Sequence, residues 1–264
     1  MKQRIITGII AAIGFLTLLY LGDYIFHALL WVMALIAYDE LVRMSKQSRT
    51  SLATIVGYIG VAIMVLPWYE GNYAFGMNAE VWIWLFMLLL LSATVASKNK
   101  TPIDKSAILL FGVVYIGTGF HYMASIRWHE DGLLWTILIF FCIWITDAGA
   151  YFTGWAIGKR PLWPSISPKK TVEGAMGGLV LSIALAICFS IFYPKLITLD
   201  QAALLGLIIG IVGQVGDLIQ SAYKRTFGVK DSGALLPGHG GVLDRTDSWL
   251  IVFPFVYLLL NVIS

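Results

Sequence analysis

Charge is scarce in this 264-residue chain: only 12% of its residues are Asp, Glu, Lys or Arg, against about 25% in a soluble domain. With 59% hydrophobic residues and a mean hydropathy of +0.82, that scarcity excludes a soluble globular enzyme and leaves a polytopic membrane protein, for which one domain is the natural expectation. Cysteine is nearly absent as well. Cys142 and Cys188, the only two, both sit inside apolar runs, which argues for free packing thiols and against a disulfide framework or a cysteine metal site. No G-x-x-x-x-G-K-[ST] loop occurs, so a P-loop nucleotide site is excluded. No A-x-A-like site follows the apolar run after Met1-Lys2-Gln3-Arg4, and a second apolar run begins at once; this beginning reads as an uncleaved first span. There is no repeat of fixed period and no low-complexity tail. His27, His121 and His129 have no partner at metal-ligand spacing and read as packing or surface residues.

Long apolar runs are what the chain does have. A membrane-spanning helix needs about 17–25 predominantly apolar residues, and nine candidates follow: Ile5–Leu21, Tyr24–Leu41, Leu52–Trp68, Val81–Ala96, Ala107–Ile126, Leu133–Ile157, Gly174–Phe192, Ala202–Tyr223 and Ser248–Ile263. The expected fold is an all-α, nine-span membrane protein with a polar cavity open to the cytoplasm. With the N-terminus in the cytoplasm and the C-terminus outside, the inner segments hold every basic residue of the 18 except Arg127 and Lys195, as the positive-inside rule requires. The formal net charge of +3 therefore reflects topology and does not point to nucleic acid. The outer loops carry Glu70, Glu80, Glu130, Asp131 and Asp200, and Trp68, Tyr69, Trp128 and Tyr193 read as interfacial anchors. Paired small residues, Gly174 with Gly178, Gly206 with Gly210, and Gly213 with Gly216, suit close helix packing in lipid.

Two carboxylates, Asp147 and Asp217, fall within predicted spans. A charged aspartate at a helix centre costs about 2.5–3.5 kcal/mol on insertion scales, so each needs a partner, a water-filled cavity or a metal. At about 1.5 Å per residue, Asp217 lies about 9 Å from the inner end of its helix. Gly213, Asp217, Gln220, Ser221 and Lys224 share one helical face, with Gln214 and Gln220 as supporting partners or part of the polar stripe. In the sixth span Asp147, Tyr151 and Gly154 form a similar face.

The first face runs into Ser221–Asp247, the densest polar stretch of the chain. Lys224, Arg225, Lys230 and Arg245 stand there among Asp231, Asp244 and Asp247, with a Gly238-His239-Gly240-Gly241 run. Bases that meet phosphate oxygens beside acids that hold a divalent cation suit a polyphosphate with its metal; topology alone would explain only the bases. A second inner loop holds Pro161, Pro164, Ser167, Pro168, Lys169, Lys170 and Thr171. Its prolines keep it from helix until Ser167-Pro168, where the spacing predicts a helix start capped by Ser167. Lys169 and Lys170 in that first turn are poor helix chemistry unless an anion binds there.

These residues resemble the signature of the phosphatidate cytidylyltransferases, or CDP-diacylglycerol synthases. The matching positions are Ser221, Lys224-Arg225, Lys230-Asp231, Pro237, His239-Gly240-Gly241 and Asp244-Arg245-x-Asp247, with Tyr223 where the family usually has an aliphatic residue. The segments around Asp147 and from Ser167 to Gly174 resemble the family too, whereas the N-terminal half matches only in hydropathy and span count. The resemblance implies a cell-membrane enzyme that converts CTP and phosphatidate to CDP-diacylglycerol and pyrophosphate on the cytoplasmic side. It implies a single catalytic domain, 1–264, whose C-terminal half, roughly 133–264, carries the site. By the same resemblance Asp217 and Asp244, with Asp147, would hold Mg²⁺, with a second monovalent or divalent cation as an option. Lys224, Arg225, Lys230, Arg245 and His239 would act on the phosphates, while Ser167, Lys169, Lys170, Ser221, Asp231, Gly240, Gly241 and Asp247 would bind substrate. The implied partners are CTP, phosphatidate and membrane lipid, with a homodimer as an open alternative.

A CTP-dependent enzyme of another lipid, such as a polyprenol kinase or an archaeal-type lipid cytidylyltransferase, is the closest rival. An ion-coupled transporter would need polar residues in both bilayer halves and an internal repeat, and the outer half of each span is nearly uncharged.

Overall fold

A computed structural model describes residues 2–66, 78–235 and 240–263; Trp68, Tyr69, Glu70, Pro237, Gly238 and His239 lie outside the described residues. Each expected span coincides with a helix among the described residues. The helices are α1 (Lys2–Leu21), α2 (Asp23–Met44), α3 (Leu52–Val65), α4 (Ala79–Ala96), α5 (Ile103–Trp128), α6 (Gly132–Ile157), α7 (Val172–Phe192), α8 (Leu199–Thr226) and α10 (Trp249–Ile263), with a single-turn α9 (Leu243–Thr246) before the last. Six of them, α2 from Tyr24 onward and α4 to α8, are long and apolar enough to cross a membrane. Of the other three, which occupy the expected positions, α3 has 14 residues and α10 has 15, while α1 has 20 and carries the apolar stretch Ile10–Leu21.

Helix ends follow local chemistry more closely than hydropathy. Polar Asp104, Lys105 and Ser106 extend α5 to four residues before its expected start, since a polar turn can be helical at a bilayer surface. A capping box between Thr198 and Gln201 starts α8, satisfying two backbone N–H groups that the first turn would leave open. Gly22, at φ +68°, breaks α1 from α2.

The chain divides into two compact units. The first comprises Met1–Ser125 and Asp231–Arg245. Its core holds Leu30, Ala37, Tyr38, Met64, Phe86, Leu109, Val113 and Phe120, all fully buried or nearly so. Trp31 Nε1 donates to the Ala62 carbonyl at 3.0 Å and the Tyr38 hydroxyl to that of Leu109 at 3.4 Å, fixing α2 against α3 and α5. Near the C-terminal end of α2, Asp39 accepts from Arg43, Arg49 and the Tyr58 hydroxyl.

The second unit comprises Ile126–Lys230 and Thr246–Ser264. Glycines set its spacing, as the sequence pattern led one to expect. A Cβ at Gly174 would sit 2.6 Å from the Ala150 carbonyl oxygen, and one at Gly206 would sit 2.8 Å from that of Ser182. So α6, α7 and α8 meet backbone to backbone. The Ser182 hydroxyl donates to the Gly206 carbonyl at 2.8 Å. Both cysteines are free thiols, Cys142 buried and Cys188 exposed.

One local expectation is corrected. Residues 167–171 are not a helix start: Ser167–Thr171 is a strand, β2, paired antiparallel with β1 (Pro161–Trp163). The helix begins at Val172, and its cap is Thr171, whose hydroxyl accepts from the Gly174 N–H at 3.1 Å. Pro168 pushes Ser167 into extended geometry, and a two-stranded ribbon tolerates proline because it is all edge. Lys169 and Lys170 thereby escape the first turn, where the helix dipole would oppose them.

Candidate active site

The C-terminal end of α8 is where acids and bases of the second unit converge. Asp217 and Ser221 are one helical turn apart on α8, and the Ser221 hydroxyl donates to Asp217 Oδ1 at 3.3 Å. The other oxygen, Oδ2, takes Lys170 Nζ at 2.5 Å from β2. The hairpin therefore presents its lysine to a helix carboxylate, and both partners stay about one-third exposed.

Asp247 approaches from the turn before α10. Gly216 makes this possible: a Cβ there would sit 2.9 Å from the Asp247 carbonyl oxygen and 3.2 Å from Ser248 Cα. The Ser248 N–H donates to Asp247 Oδ1 at 2.7 Å. Burial pushes the Asp247 carboxyl above the usual carboxylate range. The Asp217 and Asp147 charges push it further, against the Ser248 hydrogen bond and the Lys224 ammonium. That repulsion identifies three carboxylates sharing one field: Asp147 from α6, Asp217 from α8 and Asp247 from the turn.

Among the described residues no set of three or more histidine, cysteine or acidic side chains is assembled to hold a metal. The donor set still fits Mg²⁺, which keeps several waters and is bound through one or two carboxylates plus substrate phosphates. A carboxylate whose proton affinity is raised by burial and neighbouring negative charge, as at Asp247, is relieved by a cation in the same way as by a proton.

The remaining expected residues fall as follows. Arg225 donates to the Ile166 carbonyl at 3.4 Å and to that of Val229 at 3.3 Å, tying the hairpin turn to the end of α8. Lys169, Lys230 and Asp231 are exposed and Ser167 is half-buried. Gln214 Nε2 joins α8 to the Ala175 carbonyl of α7 at 3.2 Å, whereas Gln220 is fully buried with neither amide atom partnered among the described residues. His239 lies outside the described residues.

Asp244, Arg245, Gly240 and Gly241 belong to the first unit. Asp244 is 8% exposed, and its Oδ2 accepts the Ser232 N–H at 2.7 Å and the Gly241 N–H at 2.9 Å. Gly240 has φ +81°, a conformation that favours glycine. In the structure the space beside Gly241 is filled by the carboxylate of Glu40, a residue the sequence reading did not nominate. Nothing local in the sequence marks Glu40, which precedes Arg43 at the end of an apolar run like many helix-end acids.

A sequence profile described as "Cytidylyltransferase family" matches residues 2–263. Among curated proteins, the phosphatidate cytidylyltransferase of Bacillus subtilis (strain 168) is 43% identical, over 100% of this chain and 99% of its own length. The phosphatidate cytidylyltransferases of Staphylococcus saprophyticus and Staphylococcus aureus (strain COL) are 40% and 39% identical, each over 98% of this chain and 99% of its own.

Proposed function

The chain belongs to the cytidylyltransferase family, and from that membership we infer that it transfers the cytidylyl group of CTP to phosphatidate. The products are CDP-diacylglycerol and pyrophosphate, a step of phospholipid biosynthesis carried out in a membrane. The observation that carries the reading is the cluster of Asp147, Asp217 and Asp247 with Lys170 and Lys224 at the foot of α8, in a chain matched along its whole length by phosphatidate cytidylyltransferases.

The chemistry asks little of a general base. A phosphate monoester is largely dianionic near pH 7, its second pKa being about 6. Its oxygen attacks the α-phosphorus of CTP; a new P–O bond forms, the bond to the bridging oxygen breaks, and the electron pair leaves with pyrophosphate. The protein's task is to hold two anions in line and neutralise the leaving group. Lys170 and Lys224 stand at the carboxylate cluster, and Lys169, Lys230, Arg225 and Arg245 supply further positive charge for the triphosphate. Ser221 holds the Asp217 carboxylate in orientation, and Ser167 and Asp231 are proposed to contact substrate. Mg²⁺ held by Asp217 and Asp247, with Asp147 close by, would supply charge neutralisation to the triphosphate. The sequence signature nominates Asp244 as a further ligand, and a second cation belongs to the same proposal.

The site faces the cytoplasm in this reading, with the N-terminus inside, nine spans, and the acyl chains of phosphatidate remaining in lipid. The test is the purified full-length protein with Mg²⁺, phosphatidate or a polyprenol, and CTP labelled at either the α- or the γ-phosphorus. Lipid that acquires the α-label only in the presence of phosphatidate is the expected result. Lipid that acquires the γ-label is the product of a kinase and overturns the reading.

A further inference from the structure

Glu40 stands near the C-terminal end of α2, only 3% exposed. Its partners lie 192 to 203 residues further along the chain, within the same unit. Oε1 accepts the Val242 N–H at 2.8 Å, and Oε2 accepts the Leu243 N–H at 2.9 Å and the Ser232 hydroxyl at 2.7 Å. The same hydroxyl is 3.0 Å from Asp244 Oδ2, so its single proton serves one carboxylate at a time. Between them Glu40 and Asp244 hold the backbone N–H groups of Ser232, Gly241, Val242 and Leu243. Two glycines make the approach available: a Cβ at Gly233 would sit 2.7 Å from Glu40 Oε1, and one at Gly241 would overlap both carboxylate oxygens.

Among the described residues no lysine or arginine pairs with Glu40. A buried carboxylate balanced only by neutral donors is an expensive way to fasten a loop, unless it is needed to accept three donors at once. Glutamine has the same shape but must turn its NH₂ toward one of the N–H groups. The segment it grips carries Asp244 and Arg245, both proposed above to act on the metal and phosphates. We propose that Glu40 is a positioning residue for the reaction: its carboxylate sets the pose of Ser232 and of residues 241–245 from the other end of the chain. This rests on the reading of the chain as a phosphatidate cytidylyltransferase.

The test compares the purified full-length parent with Glu40→Gln and Glu40→Asp, using CTP, Mg²⁺ and phosphatidate. A parent that forms no CDP-diacylglycerol defeats the functional reading itself. With an active parent, Glu40→Gln is expected to lower kcat by about tenfold or more with KM for phosphatidate within about threefold, the pattern of a lost transition-state alignment. Amide exchange should accelerate in peptides from 231–245 and stay unchanged in α6 to α8. Glu40→Asp, which keeps the charge one methylene short, should recover part of kcat. The proposal is overturned by a Glu40→Gln kcat within twofold of the parent, or by a lower kcat without faster exchange at 231–245. Should Glu40→Gln not yield folded protein, Ser232→Ala removes one of the three donors. A kcat loss of about threefold with faster exchange at 231–245 then sustains the proposal, and a parent-like kcat overturns it.

Discussion

Asp217 and Asp244 are surrounded differently, and the difference separates their variants. Asp217 is half-buried, with Lys170 on one oxygen and Ser221 on the other. Asp217→Asn keeps the volume and removes the charge. The purified variant should melt within a few degrees of the parent while Mg²⁺-dependent turnover falls by about 100-fold or more. Asp244 is buried, and its Oδ2 faces the N–H groups of Ser232 and Gly241. An asparagine there weakens charge-assisted bonds worth about 1.5–3 kcal/mol each, so both melting temperature and turnover should drop. Parent-like turnover in Asp217→Asn removes it from the site; a parent-like melt in Asp244→Asn removes the bracing role. The carboxylates at 147 and 217 were legible from sequence because an acid inside an apolar run needs a reason, and Asp247 because it stands in the charge-dense stretch 221–247. Glu40 was not, because its reason sits some two hundred residues away and only the folded chain supplies it.

At the scale of elements, hydropathy located the helices because a lipid-exposed backbone has few alternatives to helix. It missed the ribbon of β1 and β2, whose short strands, Pro-Leu-Trp and Ser-Pro-Lys-Lys-Thr, carry no alternating apolar pattern. Small residues were legible as packing positions, yet spacing alone does not say which of them tolerate a side chain. Gly178 and Gly213 answer differently. A Cβ at Gly178 would lie 2.5 Å from the Thr146 carbonyl oxygen and 3.2 Å from the Ala150 N, both backbone atoms that cannot rotate away. At Gly213 the nearest atoms are side-chain carbons of Val252 and Ser248, at 3.6 and 3.8 Å. Gly178→Ala should therefore push α6 from α7 and cost about 1–3 kcal/mol. Gly213→Ala should be neutral or stabilise by up to about 1 kcal/mol, since alanine has less helix entropy to lose. Thermal unfolding of the two variants in one detergent checks the contrast, and equal shifts would contradict it.

For the whole molecule the open quantity is how many helices cross. At about 1.5 Å per residue, the 14 residues of α3 and the 15 of α10 reach about 21–23 Å, less than the roughly 30 Å hydrocarbon core. If only α2 and α4 to α8 crossed, from an N-terminus inside, Arg43, Lys46 and Arg49 would face outward and the C-terminus would end inside. With nine crossings those three bases lie inside and the C-terminus lies outside. The positive-inside rule favours nine, so a reporter fused after Ser264 should signal outside, and a cysteine placed at Ser48, in the turn between α2 and α3, should resist an impermeant thiol reagent in intact cells. An inside signal at Ser264 with labelling at Ser48 selects six instead. Both counts put the hairpin and residues 224–247 in the cytoplasm, because they assign the same sides to everything between α4 and α8. The placement of the acid cluster on the side that holds CTP thus depends on where the N-terminus lies and on α1 and α3 crossing together or not at all, and not on whether α10 crosses.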